Sequence, residues 1–562
     1  MNKNQLLQSL KDKLKYIYED KYNEEFILKM EQLITQWENK QWEKADKITE
    51  KNIYLITYGD SIYEKHKNTL RALNKFLKEQ VEDSITDVHL LPMFEYTSDD
   101  GFSVVDYKKI DEKLGHWQDI DDLSKNYRLM FDFVANHISK SSEWFKGYIN
   151  DEQKYKNFFI PYDENFDTSK VVRPRTSPLF HKYKGKNGEK TAWTTFSQDQ
   201  VDINISHFPV LVEMTNIILM YANRGATSIR LDAIGFLWKE SGTSCMHLKR
   251  THEIIKLWRC ILDYFKPNTQ IITETNVPHK ENISYFGNTK DEANMVYQFS
   301  LPPLVLYTFT THDSSKLTKW AKTIDVVSNK ATYFNFLSSH DGVGMRPTEG
   351  ILTEDEKQIL VDKTLENGGR VSYKTNKDNT KSVYELNINY HDALINKNED
   401  TSEDLEVKKI LAANSILLSC IGVPAIYYHS LLGSRNDEKG MQMSGINRRI
   451  NREKLCYDAI TKELKTNSRR NRIFNGLKYI INLRKKESAF SPYASQQVLD
   501  LNKNVFALER INEDTKEKIT FIVNVSCEDV EFNYDIKGEN IVTREKINGI
   551  VKLKSYQFVW IK

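Results

Sequence analysis

The chain has 562 residues, and its 80 Lys and Arg nearly cancel its 78 Asp and Glu, for a formal net charge of +2. That balance excludes a nucleic-acid surface driven by bulk charge and a basic membrane-seeking face, and the length allows a large core and more than one folding unit. Five cysteines (Cys245, Cys260, Cys420, Cys456 and Cys527), odd in number and without a CxxC pair, exclude a disulfide framework or a zinc ribbon and suit a reducing cytosol.

The N-terminal stretch MNKNQLLQSLKDKLKYIYED is charged throughout and has neither the apolar core nor the cleavage site of a signal peptide. No run approaches the roughly 18 apolar residues of a membrane span, so a cytoplasmic protein with no membrane partner is expected. Residues 1–50 read as a helical extension, with Leu6, Leu7, Leu10 and Leu14, then Phe26, Met30 and Ile34, at helical spacing.

A strand–helix alternation then begins. Strand-like runs fall at 52–59, 86–94, 127–135, 226–234, 269–275, 294–300, 333–339 and 423–429. Helical patterns separate most of them, most clearly at 66–80, 208–225, 248–265 and 407–422. Eight strands alternating with helices predict an α/β fold of the (β/α)8 barrel type. Two connections are too long for ordinary loops. One, 138–207, follows strand three and carries a turn-like KGKNGEK at 184–190. The other, 342–406, follows strand seven and carries YELNINY at 384–390. From about 495 the pattern alternates with period two, which predicts a small antiparallel β domain. The expected units are the extension 1–50, barrel segments 51–137, 208–341 and 407–494, excursions 138–207 and 342–406, and the C-terminal domain 495–562.

Four of the strand regions run into a carboxylate or a histidine: FDFVANH (131–137), SIRLDAIGF (228–236), IITETN (271–276) and FLSSHDGVG (336–344). They bring Asp132, Asp232, Glu274 and Asp341 to the C-terminal rim, where barrel enzymes place their chemistry. Retaining glycoside cleavage needs a carboxylate that attacks the anomeric carbon and a second carboxyl group that protonates the leaving oxygen, about 5 Å away. Asp232 is the candidate nucleophile, because Arg230 leaves the same face of its strand and would keep it ionised. Glu274, at the end of the next strand, is the candidate acid/base, and a neighbouring carboxylate and burial would raise its pKa. Asp341 is the candidate third carboxylate, able to hold sugar hydroxyls. Each motif alone has an ordinary reading: an RxD salt bridge, an HD pair, a DxxxNH core cluster. Their order on strands three, four, five and seven carries the inference.

DFVANH, SIRLDA, ITET and SSHDG, in this order, resemble the four signature regions of the α-amylase superfamily. VHLLPMFEYTSDDGFSVVDY (88–107), VVRPR (171–175), WTTFSQDQVDIN (193–204), KESGTS (239–244), YQFSLPPLVL (297–306) and INRRINRE (446–453) are similar to its sucrose-phosphorylase branch. The resemblance covers the chain from about residue 50 onward. It implies Asp232 as nucleophile, Glu274 as acid/base and Asp341 as transition-state stabiliser. It also implies a closed glucose site built from Asp99, Phe102, His137, Arg230, His340 and Arg452. Arg175, Tyr384 and Glu385 are the residues the resemblance places at the phosphate or acceptor, with Glu385 standing where sucrose phosphorylases commonly carry Gln. Phe236 likewise stands where they carry Tyr.

The implied activity is phosphorolysis of an α-glucoside to α-glucose 1-phosphate, with inorganic phosphate as co-substrate, no cofactor and no metal. Some amylases hold calcium through an asparagine equivalent to Asn136; this branch generally does without it. MRPTEG (345–350) and the run 368–388 look closer to the members acting on glucosylglycerate or glucosylglycerol, so a glucosylglycerate-type phosphorylase is expected. Sucrose phosphorylase, or a glucosylglycerol or sucrose 6-phosphate phosphorylase, is the alternative, and an α-glucoside hydrolase or transglucosylase ranks below these. Arg346, Arg370, Lys374 and His247 are the cations available to a glycerate carboxylate. A non-catalytic barrel relic would be expected to have lost one of the three acids, and all three are present. Monomer and homodimer are both compatible with the sequence.

Overall fold

A computed structural model describes residues 1–375, 380–399 and 402–562; residues 376–379, inside the 368–388 run, and 400–401 lie outside the described residues. Eight parallel strands close into a barrel: β1 (Tyr54–Thr57), β2 (Asp87–Leu90), β3 (Arg128–Phe133), β4 (Ala226–Leu231), β5 (Gln270–Thr273), β6 (Met295–Tyr297), β7 (Thr332–Asn335) and β8 (Val423–Tyr427). Each pairs with its neighbours in chain order, and β8 returns to β1 through Tyr54↔Ala425 and Ile56↔Tyr427. β1, β2, β5, β6, β7 and β8 are buried at every position, as expected where helices cover the outside and side chains fill the inside.

The strands are shorter than the apolar runs that announce them, and the difference positions the site. Asp132 lies within β3, Asp232 is the residue after β4, and Glu274 is the residue after β5. Asp341 is not at a strand end: β7 stops at Asn335, and the carboxylate sits in the loop beyond it.

After β3 the chain turns into His137–Ser139, which pairs antiparallel with the returning Gln200–Asp202 and encloses a hairpin, Phe180–Gly185 with Gly188–Trp193. After β7, Val343–Gly344, Lys381–Asn387 and Arg370–Thr375 form a three-stranded antiparallel sheet over the barrel mouth. The C-terminal part is a four-stranded antiparallel sheet (Ser495–Leu499, Val505–Ile511, Lys518–Asn524, Phe558–Ile561) and a ribbon, Val530–Glu539 with Lys546–Leu553. The period-two runs at 504–510, 518–525 and 551–561 announce three of these strands, and Ser495–Leu499 and Val530–Glu539 lie outside them. The second of these does alternate, but between partly buried and exposed positions, with too little apolar contrast to stand out. Arg510 and Trp560 dock this sheet on the end of helix Glu403–Ser419, the guanidinium donating to the Ser419 carbonyl at 2.9 Å and the indole to Ser419 Oγ at 2.8 Å. The first of these satisfies a carbonyl that a helix C-terminus otherwise leaves open.

The N-terminal extension is two helices, Lys3–Tyr18 and Glu24–Glu38. Leu6, Leu10 and Leu14 are fully buried and join the main core; Tyr18 donates to the Ile205 carbonyl at 3.0 Å, and Phe26 stacks on Phe208. The extension is therefore part of the barrel wall. A Leu10→Ala substitution is expected to lower stability by about 2–5 kcal/mol, measured by urea unfolding; unchanged stability would show that the extension is an appendage.

Candidate active site

Arg230 is the centre of the site. It is 2 % exposed and rises from β4 between three acids. Nη1 bonds Asp132 on one side and Asp232 Oδ1 at 2.9 Å on the other, while Nη2 lies 3.7 Å from Glu274 Oε2. Asp132 is the anchor: its other oxygen accepts from His89 Nε2 at 2.7 Å, so it faces the guanidinium from behind and not the cavity. Burial would raise Asp132, but Arg230 and His89 outweigh it and hold it below the usual carboxylate range. Ala233, directly after Asp232, takes a left-handed conformation (φ 45°) that aims its N–H at Glu274 Oε2, 3.0 Å away.

Asp232 and Glu274 thus share one guanidinium. Their protonation differs from the sequence expectation that Arg230 simply keeps Asp232 ionised. Burial pushes Asp232 well above the carboxylate range, against Arg230 and with Glu274 adding to the rise. Glu274 is raised too, by burial first and by Asp341. Burial is the main reason, and Arg230, which also pairs with Asp132, does not offset it. The two carboxyls titrate as a unit and give up their protons at higher pH than ordinary carboxyls.

Asp341 behaves oppositely. Burial raises it, yet Arg448, Arg452, Arg230 and Arg175 outweigh that and hold it low. Arg448 Nη1 sits 2.5 Å from Asp341 Oδ1, and Arg452 Nη2 sits 3.5 Å from it. Arg452 also donates to the His340 carbonyl at 2.7 Å and to Asp100 Oδ2 at 2.7 Å. His340 stacks on Phe102 with ring centres 4.9 Å apart, and His137 Nε2 donates to the Phe102 carbonyl at 2.9 Å. Asp99 lies beside this group, 3.4 Å from Gln200 Nε2, on a turn where both Asp99 and Asp100 have positive φ. Asp99, Phe102, His137, Arg230, His340 and Arg452 thus gather around the three acids. Sequence reasoning missed Arg448, Asp100 and Gln200, although each lies inside a stretch quoted for the family resemblance.

Over Glu274 opens a cavity of about 590 Å³. Arg173, Arg175, Arg346, Lys374 and Tyr384 line it, and Glu274 is the one acid among its described lining residues. Arg175 lies over the Tyr384 ring at 5.5 Å. The other expected residues do not face this space. Glu385 is 2 % exposed and spends both oxygens on Arg448, at 3.0 and 2.7 Å, which corrects its expected place in the phosphate or acceptor site. Arg370 turns back to the carbonyls of Gly368 and Gly369, and His247 packs behind Gly235, bonded to Tyr285 at 2.7 Å.

The asparagine that could have held calcium is already served by a cation of the chain. Lys239 Nζ lies 2.8 Å from Asn136 Oδ1, 2.6 Å from Asp202 Oδ2 and 2.6 Å from the Phe236 carbonyl. Asp202 is further held by Asn136 Nδ2 at 3.0 Å and the Thr195 N–H at 2.8 Å. The ammonium joins the barrel to the strand-three excursion. Lys239→Met is expected to leave the buried Asp202 unpaired and to cost about 3–5 kcal/mol in urea unfolding; an unchanged midpoint would contradict this role.

Residues 81–348 match the family model of the alpha amylase catalytic domain. The chain is 45 % identical over 514 residues to the glucosylglycerate phosphorylase of Allomeiothermus silvanus, covering 91 % of each chain, and 42 % identical to that of Escherichia coli, covering 94 % of each. Among solved structures, the sucrose 6F-phosphate phosphorylase from Thermoanaerobacter thermosaccharolyticum superposes with a TM-score of 0.74 at 24 % identity, over 91 % of this chain and 99 % of the other.

Proposed function

We propose, for a chain that belongs to the sucrose-phosphorylase branch of the α-amylase family, that it is a retaining glycoside phosphorylase of the glucosylglycerate type. It converts an α-glucoside of glycerate and inorganic phosphate into α-glucose 1-phosphate and glycerate. Asp232 attacks the anomeric carbon while the proton retained by the carboxyl pair passes from Glu274 to the glycosidic oxygen, and glycerate leaves. Phosphate then attacks the glucosyl ester, gives its proton to Glu274 and frees Asp232. Two inversions restore the α configuration. Because Glu274 must hold a proton in the first step, glucosylation fails as pH rises through its elevated pKa, which burial and Asp341 set.

One observation carries the choice of co-substrates. Both glycerate and phosphate are anions, and four cations line the cavity above Glu274. A sucrose-type acceptor is neutral and would bring no negative charge to meet them. Arg175 with Tyr384 suits phosphate, whose oxygens accept forked donors. Arg346 and Lys374 suit the carboxylate, although each also pairs with an acid at the cavity edge, Glu281 at 3.5 Å and Glu349 at 3.6 Å.

The reaction needs neither cofactor nor metal, since attack, proton transfer and charge stabilisation are all assigned to side chains, and Lys239 supplies the cation between domains. Monomer and homodimer are both compatible with this site. No described helix is long and apolar enough to cross a membrane; the five free cysteines support our reading of a reducing, cytoplasmic location.

Incubation with glucosylglycerate is expected to release glucose 1-phosphate only when phosphate is present. Equal release of free glucose with and without phosphate would make the protein a hydrolase. In the synthetic direction, from glucose 1-phosphate, Arg346→Ala is expected to raise the KM for glycerate roughly tenfold or more and to leave glycerol use nearly unchanged, as for one lost charge-assisted bond. An equal effect on both acceptors would remove Arg346 from the carboxylate site.

A further inference from the structure

In the strand Lys381–Asn387, Tyr384 is the extra residue of a bulge opposite Ser372 and Tyr373, and Glu385 resumes the pairing with Ser372. Tyr384 faces the cavity beside Arg175. Glu385 points the other way and grips Arg448 with both oxygens, at 3.0 Å to Nε and 2.7 Å to Nη2. The remaining arm of that guanidinium, Nη1, lies 2.5 Å from Asp341 Oδ1. Glu385 is itself fixed from behind: Asn387 Nδ2 donates to it at 2.5 Å, and Ser372 Oγ donates to Asn387 Oδ1 at 2.6 Å. Gly342, next to Asp341, leaves the room for this. A Cβ there would stand 2.6 Å from Glu385 Cγ and 2.4 Å from the Leu386 carbonyl.

We infer that Glu385 is a positioning residue for the glycosyl transfer and not an acceptor ligand: through Arg448 it sets the place and direction of the Asp341 carboxylate. This rests on Asp341 acting as the third carboxylate of the proposed mechanism. A fork held at both ends cannot rotate, so Arg448 meets Asp341 along one direction and leaves its other oxygen for the sugar. A glutamine at 385 offers one acceptor oxygen in place of two and removes the charge that balances Arg448 from the far side. Arg448 then moves onto Asp341, which is drawn away from the sugar.

The test is Glu385→Gln in the full chain, with the first half-reaction followed as fluoride release from α-glucosyl fluoride. That step needs neither phosphate nor glycerate, so its outcome is separate from the choice of co-substrates. The rate is expected to fall about 10–100-fold, as for a displaced catalytic group, with the KM values for phosphate and glycerate unchanged within about twofold. Glu385→Asp, which keeps the charge, should recover part of the rate. The Glu385→Gln/Arg448→Lys double variant should be no slower than the slower single variant, because both changes break one chain of contacts. A raised KM for glycerate with an intact fluoride-release rate would make Glu385 an acceptor ligand and overturn the inference. Multiplying effects in the double variant would do the same.

Discussion

One buried guanidinium shared by three acids is the constraint on which this site depends. Arg230 has almost no contact with water, and among the described residues the acids paired with it are Asp132, Asp232 and Glu274, with the rings of Phe102 and Tyr297 beside it. The acids in turn could not gather at one barrel mouth without it, since each unpaired buried carboxylate would cost several kcal/mol. The balance is deliberately short of positive charge. Arg230 also pairs with Asp132, and its charge does not offset the burial of Asp232 and Glu274. The deficit is met by a retained proton. That proton is the one the leaving oxygen requires, so the electrostatics that hold the site together also load its general acid. The arrangement costs stability: carboxyls raised in the folded state bind protons more tightly than in the unfolded chain. The fold therefore loses stability as pH rises from the unfolded toward the folded pKa of the pair.

A second group of arginines has the opposite effect on Asp341. Arg448 and Arg452 reach it from the loop after β8, and they hold it charged against the burial that would neutralise it. Two carboxyls raised as a pair and a third held low stand around the same group of arginines. This is the division of labour that glycosyl transfer demands. Above them, the excess positive charge of the cavity extends the same logic to the substrates, because it is their anionic ends that complete the charge balance.

The barrel and its three acids are legible in the sequence because strand-forming runs that end in charge have few structural uses. Asp232 and Glu274 fall one residue past their strands, where such reading places them. Asp341 is legible only through its motif, since its loop position leaves no strand-end signal. What the sequence could not show is pairing across distance. Glu385, Arg448 and Asp341 come from three segments, and nothing local tells that Glu385 faces an arginine and not the substrate. The same holds for Lys239, which answers Asn136 and Asp202 from another loop, and for the choice of Arg346 over Arg370 and His247, which turns on which way each side chain leaves its backbone. The docking of the N-terminal helices was hidden for a related reason. Their apolar spacing states that they bury a face, not which surface receives it.

The claim on which everything else rests is that Asp232 becomes covalently attached to glucose. Reaction of the protein with 5-fluoro-α-glucosyl fluoride, which slows the second step, followed by proteolysis and peptide mass spectrometry, tests it directly. The expected result is a single fluoroglucosyl ester on Asp232 that disappears when phosphate is added. An adduct on another residue, or steady turnover with no adduct at all, would contradict it.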